Sequence, residues 1–93
     1  MIFEVVDKTS RKIRLTKVQW KHIAEEHPDV IDLEEIKETL INPLQITVSK
    51  YDPEQVCYYY HYNKEKRKYL FLAVKYLNGE GFIITSYYMR NIK

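Results

Sequence analysis

Cysteine and glycine are scarce in this chain, and both scarcities exclude classes of protein. The only cysteine among the 93 residues is Cys57, so no disulfide can form within the chain. Disulfide frameworks are typical of small secreted domains, and the lack of one agrees with a reducing compartment. Two glycines, Gly79 and Gly81, are too few to build a glycine-rich phosphate-binding loop.

The sequence also lacks long apolar runs and a metal-ligand pattern. No stretch approaches the ~18 apolar residues of a membrane-spanning helix, and the first residues show no signal-peptide pattern. We therefore expect a cytoplasmic protein with no membrane partner. His22 and His27 are five residues apart, about 140° around a helix, so they cannot chelate one ion as an i, i+4 pair does. We predict no metal and no other cofactor.

The composition is that of one folded domain with segregated charge. Hydrophobic residues make up 45% of the chain and charged residues 30%, and 93 residues have room for a single domain, residues 1–93. Residues 25–38 hold seven acidic side chains against one lysine, whereas the remainder holds fourteen basic and six acidic ones. Such segregation fits a polyanion-binding face opposite an acidic one, and it equally fits an ordinary solvated surface.

Helix and strand signals divide the first half of the chain. Alternation over residues 2–15 around a polar turn predicts two short strands. Thr16 is a predicted N-cap of a helix that ends before Pro28, and Asp32 is a predicted N-cap of a second helix that continues through Leu40. Each cap has Gln or Glu three residues later, as in a capping box.

The second half of the chain alternates with a period of two. Residues 44–49, residues 56–62 and the two apolar runs within residues 68–89 predict four strands. Their connections are too short for crossovers, so neighbouring strands should be antiparallel. We therefore predict an α+β fold in which N-terminal short strands and two helices pack on a four-stranded antiparallel β-meander.

Lys75 lies within the first strand of the last hairpin, and its neighbours depend on the length of the loop. A two- or four-residue loop places it on the face of Phe82, Ile84, Ser86 and Tyr88. A three-residue loop with a bulge gives it Ile83, Thr85 and Tyr87 instead. Its side chain either points to solvent or stands in a polar site, and the nearby Thr85 and Tyr87 favour the polar site.

Tyrosine is abundant, and most of the nine tyrosines lie between Tyr58 and Tyr88, interleaved with cationic side chains. Aromatic rings on a sheet can stack RNA bases while cations contact phosphates. On this basis the predicted RNA-binding residues are Lys64, Lys66, Arg67 and Lys68. The ordinary preference of tyrosine for half-buried strands explains the same pattern without a ligand.

Three short motifs stand out across residues 13–93. They are His22-Ile23 with His27-Pro28, residues 69–75 (YLFLAVK) and residues 83–87 (IITSY). Together they resemble the phage-associated branch of the barnase–EndoU–colicin–RelE-like (BECR) nucleases. The resemblance implies a small metal-independent endoribonuclease, a toxin or phage effector, in which helices precede a four-stranded antiparallel sheet.

The resemblance also implies a mechanism and a set of site residues. Attack by the ribose 2′-hydroxyl needs a base, an acid and donors for the phosphorane. His22 or His27 would be the base or acid, Lys75 would stabilise the phosphorane, and Thr85 and Tyr87 would hydrogen-bond the phosphate. The implied partner is RNA, with a protein inhibitor left open as a second. Two alternatives stay open: a noncatalytic RNA-binding module, and a protein-interaction domain whose acidic second helix binds a basic partner.

Overall fold

The structure, a computed structural model, describes residues 1–92, so Lys93 of the predicted domain lies outside the described residues. The elements in chain order are β1 (Phe3–Val6), β2 (Lys12–Leu15), α1 (Lys17–Glu26), α2 (Leu33–Ile41), β3 (Gln45–Val48), β4 (Val56–Asn63), β5 (Lys68–Leu77) and β6 (Glu80–Met89). Neither helix is long and apolar enough to span a membrane.

All six strands form one sheet, in the order β1-β2-β6-β5-β4-β3. Strands β3 to β6 are antiparallel neighbours, but β2 pairs with β6 in parallel, with Ile13 opposite Gly81. The α+β class is confirmed. The prediction of a four-stranded antiparallel sheet is wrong, because the N-terminal hairpin extends the sheet instead of packing on it. The free edge of β6 allows this pairing. Gly81 also allows it, because a Cβ at this position would collide with the side chain of Ile13 and would lie only 2.9 Å from the ring of Tyr76.

Both helices begin at the residues that the capping signals predict. The Thr16 hydroxyl accepts a hydrogen bond from the backbone N–H of Gln19 at 3.2 Å. The Asp32 carboxylate accepts bonds from the backbone of Glu34 at 3.0 Å and of Glu35 at 3.3 Å. Each cap stabilises its helix by about 1 kcal/mol. The caps therefore fix where the two helices start, before any packing against the sheet.

The helices cover one face of the sheet and leave the other uncovered; we call these the covered face and the open face. Alternation along β5 places Leu70, Leu72 and Val74 on the covered face, where they are fully buried with Ile36 and Leu40 of α2. The intervening residues of β5 belong to a second, smaller apolar cluster, which lies on the open face. The sheet therefore has apolar groups on both sides but helices on only one.

The turn between β5 and β6 is two residues long. Asn78 and Gly79 have φ angles of 54° and 80°, both in the left-handed region. This is the type I′ geometry that Asn-Gly favours in hairpins. Lys75 lies opposite Phe82, as expected for a two-residue loop.

A β-bulge then changes the alternation of β6. The register between β5 and β6 shifts by one residue, which leaves Ile84 as the extra residue of β6. Because side chains alternate faces, the shift moves Thr85 and Tyr87 onto the open face, the face of Lys75. The loop has two residues, which agrees with the first alternative from the sequence. Because of the bulge, however, Lys75 shares its face with Thr85 and Tyr87, which were expected only for a three-residue loop.

Candidate functional site

Aromatic rings from three strands meet at the centre of the open face. The ring of Tyr87 stacks on Phe71 with centroids 4.7 Å apart, and the rings of Tyr58 and Tyr60 lie 5.0 and 5.6 Å from Phe71. We call these four residues the aromatic cluster. Met89 and other apolar groups pack at its margin. Phe71 is therefore the middle of this cluster, and it is itself only 6% exposed because the neighbouring rings and apolar groups pack around it.

A groove of about 350 Å³ lies over the aromatic cluster. Its rim comes from β3 and the segment that follows β3: Thr47, Val48, Lys50 and Tyr51. Ligand pockets typically measure about 300–1,000 Å³, so this aromatic groove can hold one small planar group. Among the described residues, Lys50 is the one charged side chain that lines it.

His27 reaches the open face from the edge of the sheet. Strand β2 pairs only with residues 80–82 of β6, so α1 packs against β6. The side-chain amide of Gln19 donates a hydrogen bond to the carbonyl of Ile84, which holds the helix to the bulge. The ring of His27, the C-cap of α1, lies 5.3 Å from the ring of Tyr87. The helix therefore brings a histidine to the aromatic cluster.

The phenol of Tyr87 stays protonated at neutral pH. Burial raises the pKa of Tyr87, and the neighbouring Tyr60 and Tyr58 raise it further. A protonated phenol is a hydrogen-bond donor beside His27. Thr85, half-buried two residues earlier, presents its hydroxyl on the same face of β6.

Lys75 shares the open face but lies at its other end. It is half-buried, between Val56 of β4 and Phe82 of β6. It is four residues along β5 from Phe71, the partner of Tyr87, which corresponds to about 13 Å at ~3.3 Å per residue. Lys75 is closer to Thr85, whose partner lies only two residues away. The structure therefore brings His27 into contact with Tyr87, places Thr85 two residues along β6, and places Lys75 two further positions along the sheet.

The second predicted histidine does not share this location. His22 is exposed on α1, five residues before His27. Helical geometry separates positions with that spacing by about 140°, so His22 points away from the side on which His27 meets Tyr87. The helix thus presents one histidine to the open face and the other to solvent.

The predicted RNA-binding cations lie in the connection between β4 and β5 and at the first residue of β5, which is Lys68. Lys64, Lys66 and Arg67 are exposed in the connection, and Lys68 is half-buried in the strand. The Lys66 ammonium lies 5.1 Å from the ring of Tyr88, which is on the covered face. Lys64 lines a groove together with carboxylates of the acidic helix: Asp32, Glu34, Glu35 and Glu38. The basic connection is therefore beside the acidic helix, and the expected arrangement on opposite faces is not found.

A hydrogen-bonded cluster around Glu35 was missed by the sequence reasoning. Its carboxylate accepts bonds from the Tyr88 hydroxyl and, at 2.6 Å, from the Asn63 amide, and His61 Nε2 lies 3.7 Å away. Burial, followed by the bond to Glu35, raises the pKa of Tyr88. The sequence identified Glu35 only as a capping residue. The alternation of His61 and Asn63 along one strand is the signal that could have shown a polar patch facing α2.

A second buried network joins the N-terminal hairpin to the sheet. The hydroxyls of Tyr59 and Tyr76 donate to one oxygen of Asp7, while Thr9 and the backbone of Arg11 donate to the other. Burial alone would raise the pKa of Asp7, but these bonds outweigh burial and hold it below its ordinary value. Burial is also the main cause that raises the pKa of Tyr76 to about 12. This network stabilises the fold and is closed to a ligand.

Neither a metal cluster nor a known relative identifies the function. Within residues 1–92, no three His, Cys, Asp or Glu side chains lie together as a metal site requires. No protein-family model, no curated protein and no solved structure matches the chain. Function therefore has to be inferred from the side chains of the open face.

Proposed function

We propose that this chain is a metal-independent endoribonuclease that binds RNA on the open face and cleaves it at the β6 edge. The observation that supports this proposal is the contact between His27 and Tyr87 beside the aromatic cluster. Histidine can take or give a proton near neutral pH, and aromatic surfaces bind unpaired bases. A ribonuclease needs a group that transfers a proton next to a surface that holds the RNA, and His27 beside the aromatic cluster offers this combination.

The reaction uses the RNA's own 2′-hydroxyl as nucleophile. His27 removes the proton of that hydroxyl, and the 2′-oxygen forms a bond to phosphorus. The bond from phosphorus to the 5′-oxygen breaks, and the leaving oxygen takes a proton from water. The products are a 2′,3′-cyclic phosphate and a 5′-hydroxyl. General base catalysis of this kind contributes about 10²–10⁴-fold.

Hydrogen-bond donors stabilise the charge that develops on the phosphate. Tyr87 donates its phenolic proton to a phosphate oxygen, and its raised pKa keeps that proton in place. Thr85 supplies a second hydroxyl from the same face of β6. Lys75 contributes a positive charge from further along the sheet and so acts on the phosphate over a longer distance.

The proposal includes a distant relationship to the BECR nucleases. Two helices precede the consecutive antiparallel strands β3 to β6, which is the order that the resemblance implies. His27, Lys75, Thr85 and Tyr87, all from the resembling motifs, lie on or beside the open face. The parallel pairing of β2 with β6 is an addition to that pattern.

One observation favours the alternative of a noncatalytic RNA-binding module. The chain has three histidines, and the structure places only His27 beside the aromatic cluster. His61 lies near Glu35 and His22 is exposed. A surface with one histidine can bind RNA without the acid and base pair that many nucleases use.

Cleavage in the presence of EDTA tests the proposal. We expect a labelled single-stranded RNA to be cut with EDTA present and to carry a 2′,3′-cyclic phosphate. The same sequence as DNA should remain intact, as should RNA in which the 2′-hydroxyls are methylated. RNA that is bound but never cut would leave the binding module, and cleavage of the methylated RNA would rule out attack by the 2′-hydroxyl.

A further inference from the structure

We infer that the aromatic groove is a subsite for one unpaired base of single-stranded RNA, with Tyr51 as the outer stacking partner. This inference rests on the proposed function, because it names the form of RNA that the same face takes. The floor of the groove is the aromatic cluster, and its rim includes Lys50 and Tyr51. Aromatic rings therefore line both the floor and the rim of the groove.

The segment that carries Tyr51 is fixed to the floor of the groove. Ser49 is 3% exposed, and its hydroxyl accepts hydrogen bonds from the backbone N–H groups of Tyr51 at 3.1 Å and Asp52 at 3.3 Å. The Tyr58 hydroxyl, in the aromatic cluster, donates to the same Ser49 oxygen at 3.1 Å. Three bonds on one buried atom tie the rim to the floor, so the position of Tyr51 beside the groove is set by the fold.

The side chain of Tyr51 is left in solvent by this arrangement. It is 93% exposed, the highest value among the large hydrophobic residues of the described chain. Folding therefore gains little from this ring, although its backbone is well anchored. An aromatic ring held in water beside an aromatic floor is suited to stacking on a base, which then lies between two apolar surfaces.

Charge distinguishes this groove from the larger groove beside α2. The aromatic groove is lined by the cation of Lys50 and by no carboxylate among the described residues. The groove beside α2 is lined by five carboxylates: Asp32, Glu34, Glu35, Glu38 and Glu65. The groove beside α2 therefore repels a polyanion. The aromatic groove can accept one, and Lys50 can contact the phosphate next to the stacked base.

The geometry selects an unpaired base. In a duplex both faces of a base are covered by its neighbours in the strand, so no ring of the protein can stack on them. A single strand can turn one base outwards and place it between Tyr51 and the aromatic cluster. The groove's volume of about 350 Å³ suits one such base and excludes a duplex.

Binding of an RNA that cannot be cleaved tests this inference separately from catalysis. The probe is a fluorescent single-stranded 2′-O-methyl RNA of mixed sequence, measured by anisotropy at low salt, with its duplex as comparison. We expect Tyr51→Ala to weaken binding of the single strand by roughly 5- to 100-fold, the usual effect of losing one stacked base. Tyr51→Phe keeps the ring and should keep the affinity.

The control is Ile31→Ala, which shortens another exposed side chain, 75% exposed and outside the groove, and should bind as the parent does. Equal binding of the single strand by the parent and by Tyr51→Ala would overturn the inference, as would equal affinity for the duplex. If the parent cuts RNA but Tyr51→Ala binds normally, the proposed function stands without this subsite. If binding depends on Tyr51 but no RNA is cut, the subsite stands and the nuclease proposal fails.

Discussion

The tyrosines on the two faces of the sheet have different partners. On the covered face, the hydroxyls of Tyr59 and Tyr76 donate to Asp7, and that of Tyr88 donates to Glu35. Both acceptors are carboxylates, and the side chain of Glu35 is 8% exposed. These tyrosines satisfy charges inside the fold, which links the N-terminal hairpin and α2 to the sheet.

The tyrosines of the open face contact hydroxyls and rings instead of carboxylates. Tyr58 donates to the Ser49 hydroxyl, and the Tyr60 hydroxyl lies 3.4 Å from the hydroxyl of Thr47. Tyr87 contacts the rings of Phe71 and His27. The rings of Tyr58, Tyr60 and Tyr87 line the aromatic groove, whereas the rings beneath the helices line no such groove among the described residues.

Three consecutive tyrosines of β4 show the difference between the two faces. Tyr59 is fully buried beneath the helices, whereas Tyr58 and Tyr60 on either side of it belong to the aromatic cluster. Composition cannot separate them, because only strand alternation decides which ring packs beneath the helices and which lines the aromatic groove. Changes on the open face should therefore impair RNA cleavage, and changes on the covered face should impair stability.

The largest expected effect is on the open face, at His27. We expect His27→Ala to slow RNA cleavage by about 10²–10⁴-fold, because the variant lacks the proposed general base. Stability should change little, since His27 is half-buried at a helix end. The matched variant His22→Ala changes the exposed histidine of the same helix and should cleave at the parental rate. A reversed result, with His22 essential, would mean that the β6 edge is not the catalytic site.

The largest effect on the covered face is expected at Asp7. An amide at this position turns its NH₂ group towards the phenols of Tyr59 and Tyr76, which then lose a charged acceptor. We expect Asp7→Asn to lower the free energy of unfolding by roughly 1.5–3 kcal/mol at pH 7, measured by urea denaturation. The exposed Asp29→Asn is the control, with a change within about 0.5 kcal/mol. A normal stability of Asp7→Asn would remove the structural role of the network.

The same variant has a characteristic dependence on pH. The pKa of Asp7 lies below its ordinary value of 3.8 in the folded state, so its hydrogen bonds stabilise the fold fully above that value. This stabilisation is lost as the pH falls through the folded pKa. The difference in stability between parent and Asp7→Asn should therefore shrink as the pH is lowered below about 4. A difference that stays constant would contradict the depressed pKa.

On the open face, Lys75→Met should have a smaller effect than His27→Ala. A direct contact with the phosphorane would contribute about 10²–10³ to the rate. Lys75 lies about 13 Å along β5 from the level of Tyr87, and a charge ~10 Å away at an effective dielectric constant of ~20 contributes only ~1–2 kcal/mol. We therefore expect about a 10-fold loss of cleavage rate with an unchanged fold. A loss of 10³-fold would mean that the scissile phosphate lies nearer the β5–β6 turn.

Local signals were enough to predict the elements of the fold. The caps at Thr16 and Asp32 depend on a few neighbouring residues, so both could be derived from the sequence. Asn78 and the glycines indicated the last hairpin in the same way, although the length of its loop stayed open. The pairing of β2 with β6 joins residues nearly seventy positions apart, such as Ile13 and Gly81. No short pattern encodes such a contact, which is why the sheet was predicted with too few strands.

The candidate site was predictable by residue type but not by arrangement. His27, Thr85 and Tyr87 could be selected for their chemistry, yet their common location depends on the bulge at Ile84, which no loop-length argument includes. Tyr51 carried no signal at all, because its role depends on bonds to Ser49 from both the rim and the floor. Alternation without bulges can predict faces only up to the first irregularity.

The smallest expected effect separates two buried serines. Ser86 is fully buried on the covered face opposite Leu72, and its hydroxyl has no hydrogen-bond partner among the described residues. A buried hydroxyl without a partner costs about 1–3 kcal/mol, and alanine removes the hydroxyl without adding volume. We expect Ser86→Ala to raise the free energy of unfolding by about 1 kcal/mol and the melting temperature by about 4–8 °C. The same change at Ser49, which has three hydrogen bonds, should lower stability instead. A destabilised Ser86→Ala would contradict the prediction and would mean that the Ser86 hydroxyl has a hydrogen-bond partner in solution.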